Sequence, residues 1–102
     1  TNLYTNSVNH EYDAIRFLEQ LPPDRVVQLH YVGGEKHEDG HLIDNHSHPT
    51  PDPVWELMGE VFKRFSVKGA ILERDANFPE FDSLLEEVDR CRRTAQEAGR
   101  WT

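Results

Sequence analysis

Val26-Val27-Gln28-Leu29-His30-Tyr31-Val32, closed by Gly33-Gly34, is the stretch whose reading decides the fold. It is apolar with little alternation, the pattern of a strand covered on both faces, as in a parallel sheet flanked by helices. A second run of the same kind, residues 67–73, has Gly69-Ala70-Ile71-Leu72 at its centre and ends on Glu73. Between the two, Asp52-Pro53 reads as an N-cap followed by proline at the first helical position. The helix it opens extends to Phe65, with Val54, Met58, Val61 and Phe65 on one stripe and Trp55 and Phe62 beside it. Strand, helix, strand in this order predicts a parallel pair joined by a right-handed crossover.

Working outward, residues 81–98 form a further helix whose stripe is Leu84, Leu85, Val88, Cys91 and Ala95, with Gly99 placed to end it. Upstream, Ala14, Ile15, Leu18 and Leu21 predict a helix over 11–21 that Pro22-Pro23 stops. Residues 1–7 read as the tail of a strand, and residues 35–51 as a long polar loop that holds four of the six histidines. Loops of that length inside a compact domain are usually functional or disordered. The expected order is strand tail, helix, strand, helix, strand, helix, an α/β chain with no internal repeat.

The chain has 102 residues and 36% hydrophobic content, enough for one small domain or part of a larger one. It opens at Thr1 without a methionine and so reads as processed or excised from something longer. A net charge of −8 argues against a broad basic face for nucleic acid. No stretch approaches the roughly 20 apolar residues of a bilayer span, and no signal segment opens the chain. A cytoplasmic protein is the expectation. The single cysteine, Cys91, excludes an intrachain disulfide and a cysteine-rich zinc module. At an apolar helical position, it reads as a buried structural thiol.

The residues with chemistry sit where strands end. His30 closes the first apolar run, and Glu73 emerges from the second. A carboxylate leaving an apolar strand needs a cation or a cationic partner. Arg74 should point to the opposite face, because strand side chains alternate, while Asp75 shares the face of Glu73. Asp44 and His46, two residues apart in Asp44-Asn45-His46-Ser47-His48, can reach one metal ion if the backbone between them is extended. Taken alone, that segment reads more readily as a solvated loop with incidental histidines. His37 and His41, among Glu35, Lys36, Glu38 and Asp39, read as exposed. His30, Asp44, His46 and Glu73 together offer nitrogen and oxygen donors without thiolate, which suits iron, manganese or zinc. Delivery of one such side chain from each strand end is how a (β/α) barrel builds a metal site at its mouth.

With these residues in view, the chain resembles the C-terminal part of the multinuclear non-heme iron-dependent oxidative enzymes, formerly a domain family of unknown function. The matching stretches are Thr1-Asn2-Leu3-Tyr4 with Asn9-His10, Val27-Gln28-Leu29-His30-Tyr31-Val32-Gly33, Leu42-Ile43-Asp44-Asn45-His46, Pro51-Asp52-Pro53-Val54-Trp55, and Ile71-Leu72-Glu73-Arg74-Asp75 through Leu84-Leu85. The resemblance implies the last three βα units of a TIM (β/α)8 barrel of the xylose-isomerase and endonuclease type, with residues 1–102 a C-terminal fragment of one domain. It implies two or three iron ions in the complete protein, with Asn2, His30, Asp44, His46 and Glu73 as ligands. It assigns no catalytic residue. Gly34 departs from the pattern, since many members carry a second histidine there. Characterised members modify cysteine residues of ribosomally made peptides with oxygen, often with a partner protein that presents the peptide. A fragment of such a barrel is expected to be inactive and to associate with the rest of the barrel or with itself. Two other functions fit the residues: a divalent-metal sugar isomerase or hydrolase, and a non-catalytic acidic interaction module.

Overall fold

The computed structural model describes residues 1–102 as four helices and four strands. The helices are α1 (Asn2–Asn9), α2 (Ala14–Glu19), α3 (Asp52–Arg64) and α4 (Phe81–Glu97), and the strands are β1 (Gln28–Tyr31), β2 (Gly33–Lys36), β3 (Leu42–His48) and β4 (Gly69–Leu72). Strands β1 and β4 pair in parallel, with Gln28 opposite Gly69 and Tyr31 opposite Leu72. Strands β2 and β3 form an antiparallel hairpin that hydrogen-bonds to neither of the other two. The parallel pair with α3 in its crossover is the α/β arrangement expected from the two apolar runs.

Helix α3 is central because its apolar stripe is complete. Val54, Trp55, Met58, Val61 and Phe62 are all buried on it, a spacing that keeps one helical face inward. They pack with Tyr31, Phe65, Val67, Leu18 and the α4 residues Cys91 and Ala95. The Tyr31 and Trp55 rings lie 5.4 Å apart, and Trp55 Nε1 donates to the Thr50 carbonyl at 3.0 Å, so its one polar atom is satisfied inside the core. Gly99, at φ +82°, ends α4 in the left-handed conformation that glycine adopts without strain. No helix is long and apolar enough to cross a membrane.

Three expectations are corrected. Residues 1–7 are not a strand tail but the greater part of α1. Leu3 and Tyr4 pack against the core from one helical side, and burial of that side sets the local structure of a segment whose own propensities are weak. What remains of a strand is Thr1, whose hydroxyl bonds the Val32 N–H at 2.7 Å and the Val32 carbonyl at 2.6 Å. The helix expected over 11–21 shortens to α2, because Asp13 caps its start by accepting from the Ile15 N–H at 2.9 Å. Gly33-Gly34 does not stop the structure but begins β2, and residues 42–48 of the expected loop are strand. A smaller difference concerns α3, where Pro51 is the N-cap and Asp52 the first helical residue.

The hairpin needs its glycines. A side chain on Gly33 would overlap the Pro49 carbonyl, and one on Gly34 the Ile43 carbonyl. The backbone of β3 therefore runs closer to β2 than any Cβ allows. The hairpin is docked on α1 by Asn9, whose side chain donates to the Leu42 carbonyl and accepts from the Leu42 N–H, both at 2.8 Å. With the Asn2–Asp44 bond at the other end of α1, it holds that helix against the strand carrying Asp44 and His46.

Candidate functional site

Asp44 and His46 lie where β3 departs from regular pairing with β2, between Ile43 and His48, and their side chains approach one another there. His46 Nε2 lies 3.1 Å from Asp44 Oδ1. On the parallel pair, His30 is the next-to-last residue of β1, before Tyr31, and Glu73 follows β4 with its N–H on the Tyr31 carbonyl at 3.1 Å. That register sets His30 Nδ1 2.9 Å from Glu73 Oε1. The two pairs meet where His46 Nε2 comes within 4.0 Å of Glu73 Oε2, and Asn2 at the start of α1 joins them by donating Nδ2 to Asp44 Oδ2 at 3.1 Å. All five predicted site residues thus converge from α1, β1, β3 and the end of β4. They line one cavity of 310 Å³ whose inner wall is apolar, with Leu29, Val54 and Met58 among its residues.

Each histidine is held at its other nitrogen. His46 Nδ1 lies 2.8 Å from Asp75 Oδ2, and the Asp75 N–H donates to the His46 carbonyl at 2.9 Å. His30 Nε2 lies 2.8 Å from Gln28 Oε1, two residues back on the same face of β1. The Asp75 carboxylate holds the His46 imidazole above its usual range. Asp44 and Glu73 add to this, and partial burial works against it. His46 also has φ +57°, a left-handed backbone conformation uncommon outside glycine. Such residues persist where surrounding contacts over-determine them, and they cluster at functional sites.

The donor chemistry fits a cation as a pair of half-sites. Asp44 Oδ1 is buried and has no hydrogen-bond partner, since the nearby His46 nitrogen lies outside hydrogen-bond geometry. An orphaned carboxylate oxygen beside two further carboxylates is a place where a positive charge is favoured. The side chains are nonetheless arranged as hydrogen-bonded pairs, and no group of three or more histidines, cysteines and acids is spaced to hold an ion by itself. Asn2, His30, Asp44, His46 and Glu73 could therefore contribute ligands, with others needed to complete a shell.

Other sequence expectations fall into place around this cluster. Asp75 does sit on the Glu73 side, against His46, while Arg74 turns the other way into the scaffold. His41 is exposed and paired with Asp39 at 3.1 Å, and His37 and His48 are exposed, so none of the three reaches the cavity. Gly34 lies where the resemblance has a histidine, and the contact with the Ile43 carbonyl leaves no room for one without moving the hairpin. Two residues were missed. Gln28 carried no signal as a polar break in an apolar run, except that it shares the strand face of His30. Asn9 appeared only as part of a matched motif, and its docking role depends on a hairpin that was read as loop.

The parallel pair β1–β4 with α3 in its crossover defines an α/β chain, with histidines and carboxylates gathered where its strands end. Comparison with known proteins then fixes the group. The chain belongs to the family described as RiPP precursor modification enzyme MbnB/TglH/ChrH, whose model matches residues 1–96. It is 40% identical to a UPF0276 protein of Nitrosospira multiformis over 87 residues, covering 85% of this chain and 31% of the relative. It is 39% identical to a UPF0276 protein of Acinetobacter baylyi over 99 residues, covering 97% and 34%. A UPF0276 protein of Caulobacter vibrioides is 41% identical over 93 residues, covering 89% and 32%. The chain thus spans about a third of the length of these curated relatives.

Proposed function

We propose that residues 1–102 supply the C-terminal βα units of a TIM (β/α)8 barrel, and that Asn2, His30, Asp44, His46 and Glu73 form part of a multinuclear iron site at its mouth. The whole protein would modify cysteine residues of ribosomally made peptides oxidatively, with a partner protein presenting the peptide. The observation that carries this is the convergence of five side chains from four separate elements around the unpartnered oxygen of Asp44. Membership of a peptide-modification family supports the substrate class.

Support for the barrel comes from what the chain leaves uncovered. Phe78 and Phe81 are 67% and 70% exposed, and Leu85, Val88 and Ile71 are exposed as well. Strand β4 pairs only with β1, so one of its edges is free. A further strand and helix, as in a complete barrel of about 250 residues, would cover both. By itself the chain is expected to be inactive, because part of the ligand shell lies elsewhere.

Bound iron would supply oxygen-dependent redox chemistry; manganese or zinc would fit the same donors. The residues of this chain orient and shield. Asp75 and Gln28 fix which nitrogen each histidine turns toward the cavity, the arrangement by which outer partners tune metal-binding imidazoles. The apolar wall of Leu29, Val54 and Met58 limits water at the donors and offers a surface to an apolar part of a peptide. Elemental analysis of the full-length protein and of His46→Ala tests the assignment. Loss of iron from the variant with unchanged folding supports it. Equal iron in both contradicts it.

A further inference from the structure

We propose that Arg74 is a positioning residue for the His46 side of the site, acting through the loop that carries Asp75 and Asn77; this rests on the metal site proposed above. The segment Glu73-Arg74-Asp75 turns in three directions. Glu73 faces the cavity, Asp75 returns to His46, and Arg74 enters the scaffold, where its side chain is only 7% exposed. There the guanidinium donates from Nε to the Ala76 carbonyl at 2.8 Å and from Nη2 to the Asn77 carbonyl at 2.6 Å. It folds the loop over itself.

The charge is met from α4. Glu87 Oε1 lies 3.9 Å from Nη1, too far for a hydrogen bond but close for opposite charges in a place largely closed to water. Oε2 of the same carboxylate accepts from the Thr50 hydroxyl at 2.9 Å. Arg74 and Glu87 therefore tie together the loop after β4, helix α4 and the segment between β3 and α3.

The consequence appears on the far side of the loop. With residues 74–77 held in this shape, the Asp75 N–H and carboxylate both reach His46, and Asn77 Nδ2 donates to the Ser47 carbonyl at 3.2 Å. His46 and Asn77, at φ +57° and +50°, are both in the left-handed region, which their residue types tolerate better than most but which surrounding contacts must still hold. A group that fixes the loop must hold both, and Arg74 is the buried side chain that does so. Lysine cannot take its place, because a single ammonium lacks the planar fork that reaches two carbonyls at once.

The test uses Arg74→Lys in the full-length protein with two readouts, amide hydrogen exchange without metal and affinity for Mn²⁺ by calorimetry. Asp75 amide exchange is expected to quicken by tenfold or more while amides of β1 and α3 hold their rates. Mn²⁺ affinity should fall roughly 10–100-fold, the usual effect of losing an outer partner of a metal ligand. Should that variant not fold, Asn77→Ala removes one bond between the loop and β3, and smaller changes in the same two readouts are expected. Exchange and affinity both within twofold of wild type overturn the proposal. Faster exchange with unchanged affinity also overturns it, since Arg74 would then be structural only. Absence of Mn²⁺ binding by the wild type would instead overturn the metal assignment, leaving exchange to decide whether Arg74 holds the loop.

Discussion

Asn9→Ala removes the side chain that ties α1 to both backbone groups of Leu42, and its cost can be worked from the contacts it breaks. Two hydrogen bonds disappear, one to each backbone group of Leu42. A net hydrogen bond contributes roughly 0.5–1.5 kcal/mol, so the pair is worth about 1–3 kcal/mol. Leu42 is only partly buried, so water can recover some of that, and a loss of about 1–2 kcal/mol is expected. In the full-length protein, taken as a barrel of about 250 residues, each kcal/mol moves the midpoint by about 2–4 °C, so Tm should fall by roughly 2–8 °C in circular dichroism melts. Asn9→Asp sharpens the test. Its carboxylate keeps an acceptor for the Leu42 N–H but sets a second oxygen against the Leu42 carbonyl. At neutral pH it should be at least as destabilising as Asn9→Ala. Below the ordinary aspartate pKa of about 3.9 the protonated acid can donate again, so its deficit relative to wild type should shrink as pH falls. A Tm for Asn9→Ala within a degree of wild type would refute the docking role, as would an aspartate variant whose deficit ignores pH.

Three further outcomes follow from the same geometry. His46 is held above its usual range, so in the metal-free protein its contribution to stability is fully present below about pH 6.5 and is lost as pH rises through its raised folded value; urea midpoints at several pH values should show this fall, and Asp75→Asn should flatten it. Burial pushes the Cys91 thiol up, so it should resist thiol reagents at neutral pH until the protein unfolds, and rapid labelling of the native state would contradict its packing. Trp55→Phe leaves the buried Thr50 carbonyl without its donor and puts a smaller ring under the Arg90 guanidinium, which lies 4.6 Å from the indole; a loss of about 1–3 kcal/mol is expected in denaturant titration, against near-neutrality if that carbonyl finds water.

The parts of the fold legible in the sequence are those where local pattern and tertiary packing agree. Helix α3 has a proline near its start and an unbroken stripe, and α4 has a stripe and a terminating glycine, so both ends fall within a residue or two of expectation. The apolar runs around β1 and β4 are longer than the strands because Val26, Val32 and Val67 continue the packing after the ladder has ended. What was not legible lies where tertiary contacts decide. Gly33-Gly34 looks like a stop, yet glycine is required there because β3 passes too close for a Cβ. The polar stretch 42–48 looks like a loop, although Asp44 and His46 in it are spaced as residues that share a strand face. In that spacing lay the available signal for the strand. Segment 1–9 has no decisive period, and burial of Leu3 and Tyr4 against the core makes it a helix.

Candidate site residues were easier to read than the elements that carry them. His30 and Glu73 stood out because a polar side chain ends an apolar run, and Asp44 with His46 because their spacing suits one strand face. Their mutual approach depends on the β1–β4 register and on the hairpin, neither of which the sequence alone specifies. The partners Gln28 and Asp75 differ in the same way. Asp75 follows from alternation after Glu73, whereas Gln28 becomes visible only when the ring orientation of His30 is known.

Anomalous diffraction at the iron edge, from crystals of the full-length protein loaded anaerobically with Fe²⁺, would probe the proposed metal site most directly. A peak within bonding distance of Asp44 Oδ1 and flanked by His46 Nε2 and Glu73 is the expected result. Iron bound elsewhere, with Asp44 still turned to a protein or water partner, would contradict it.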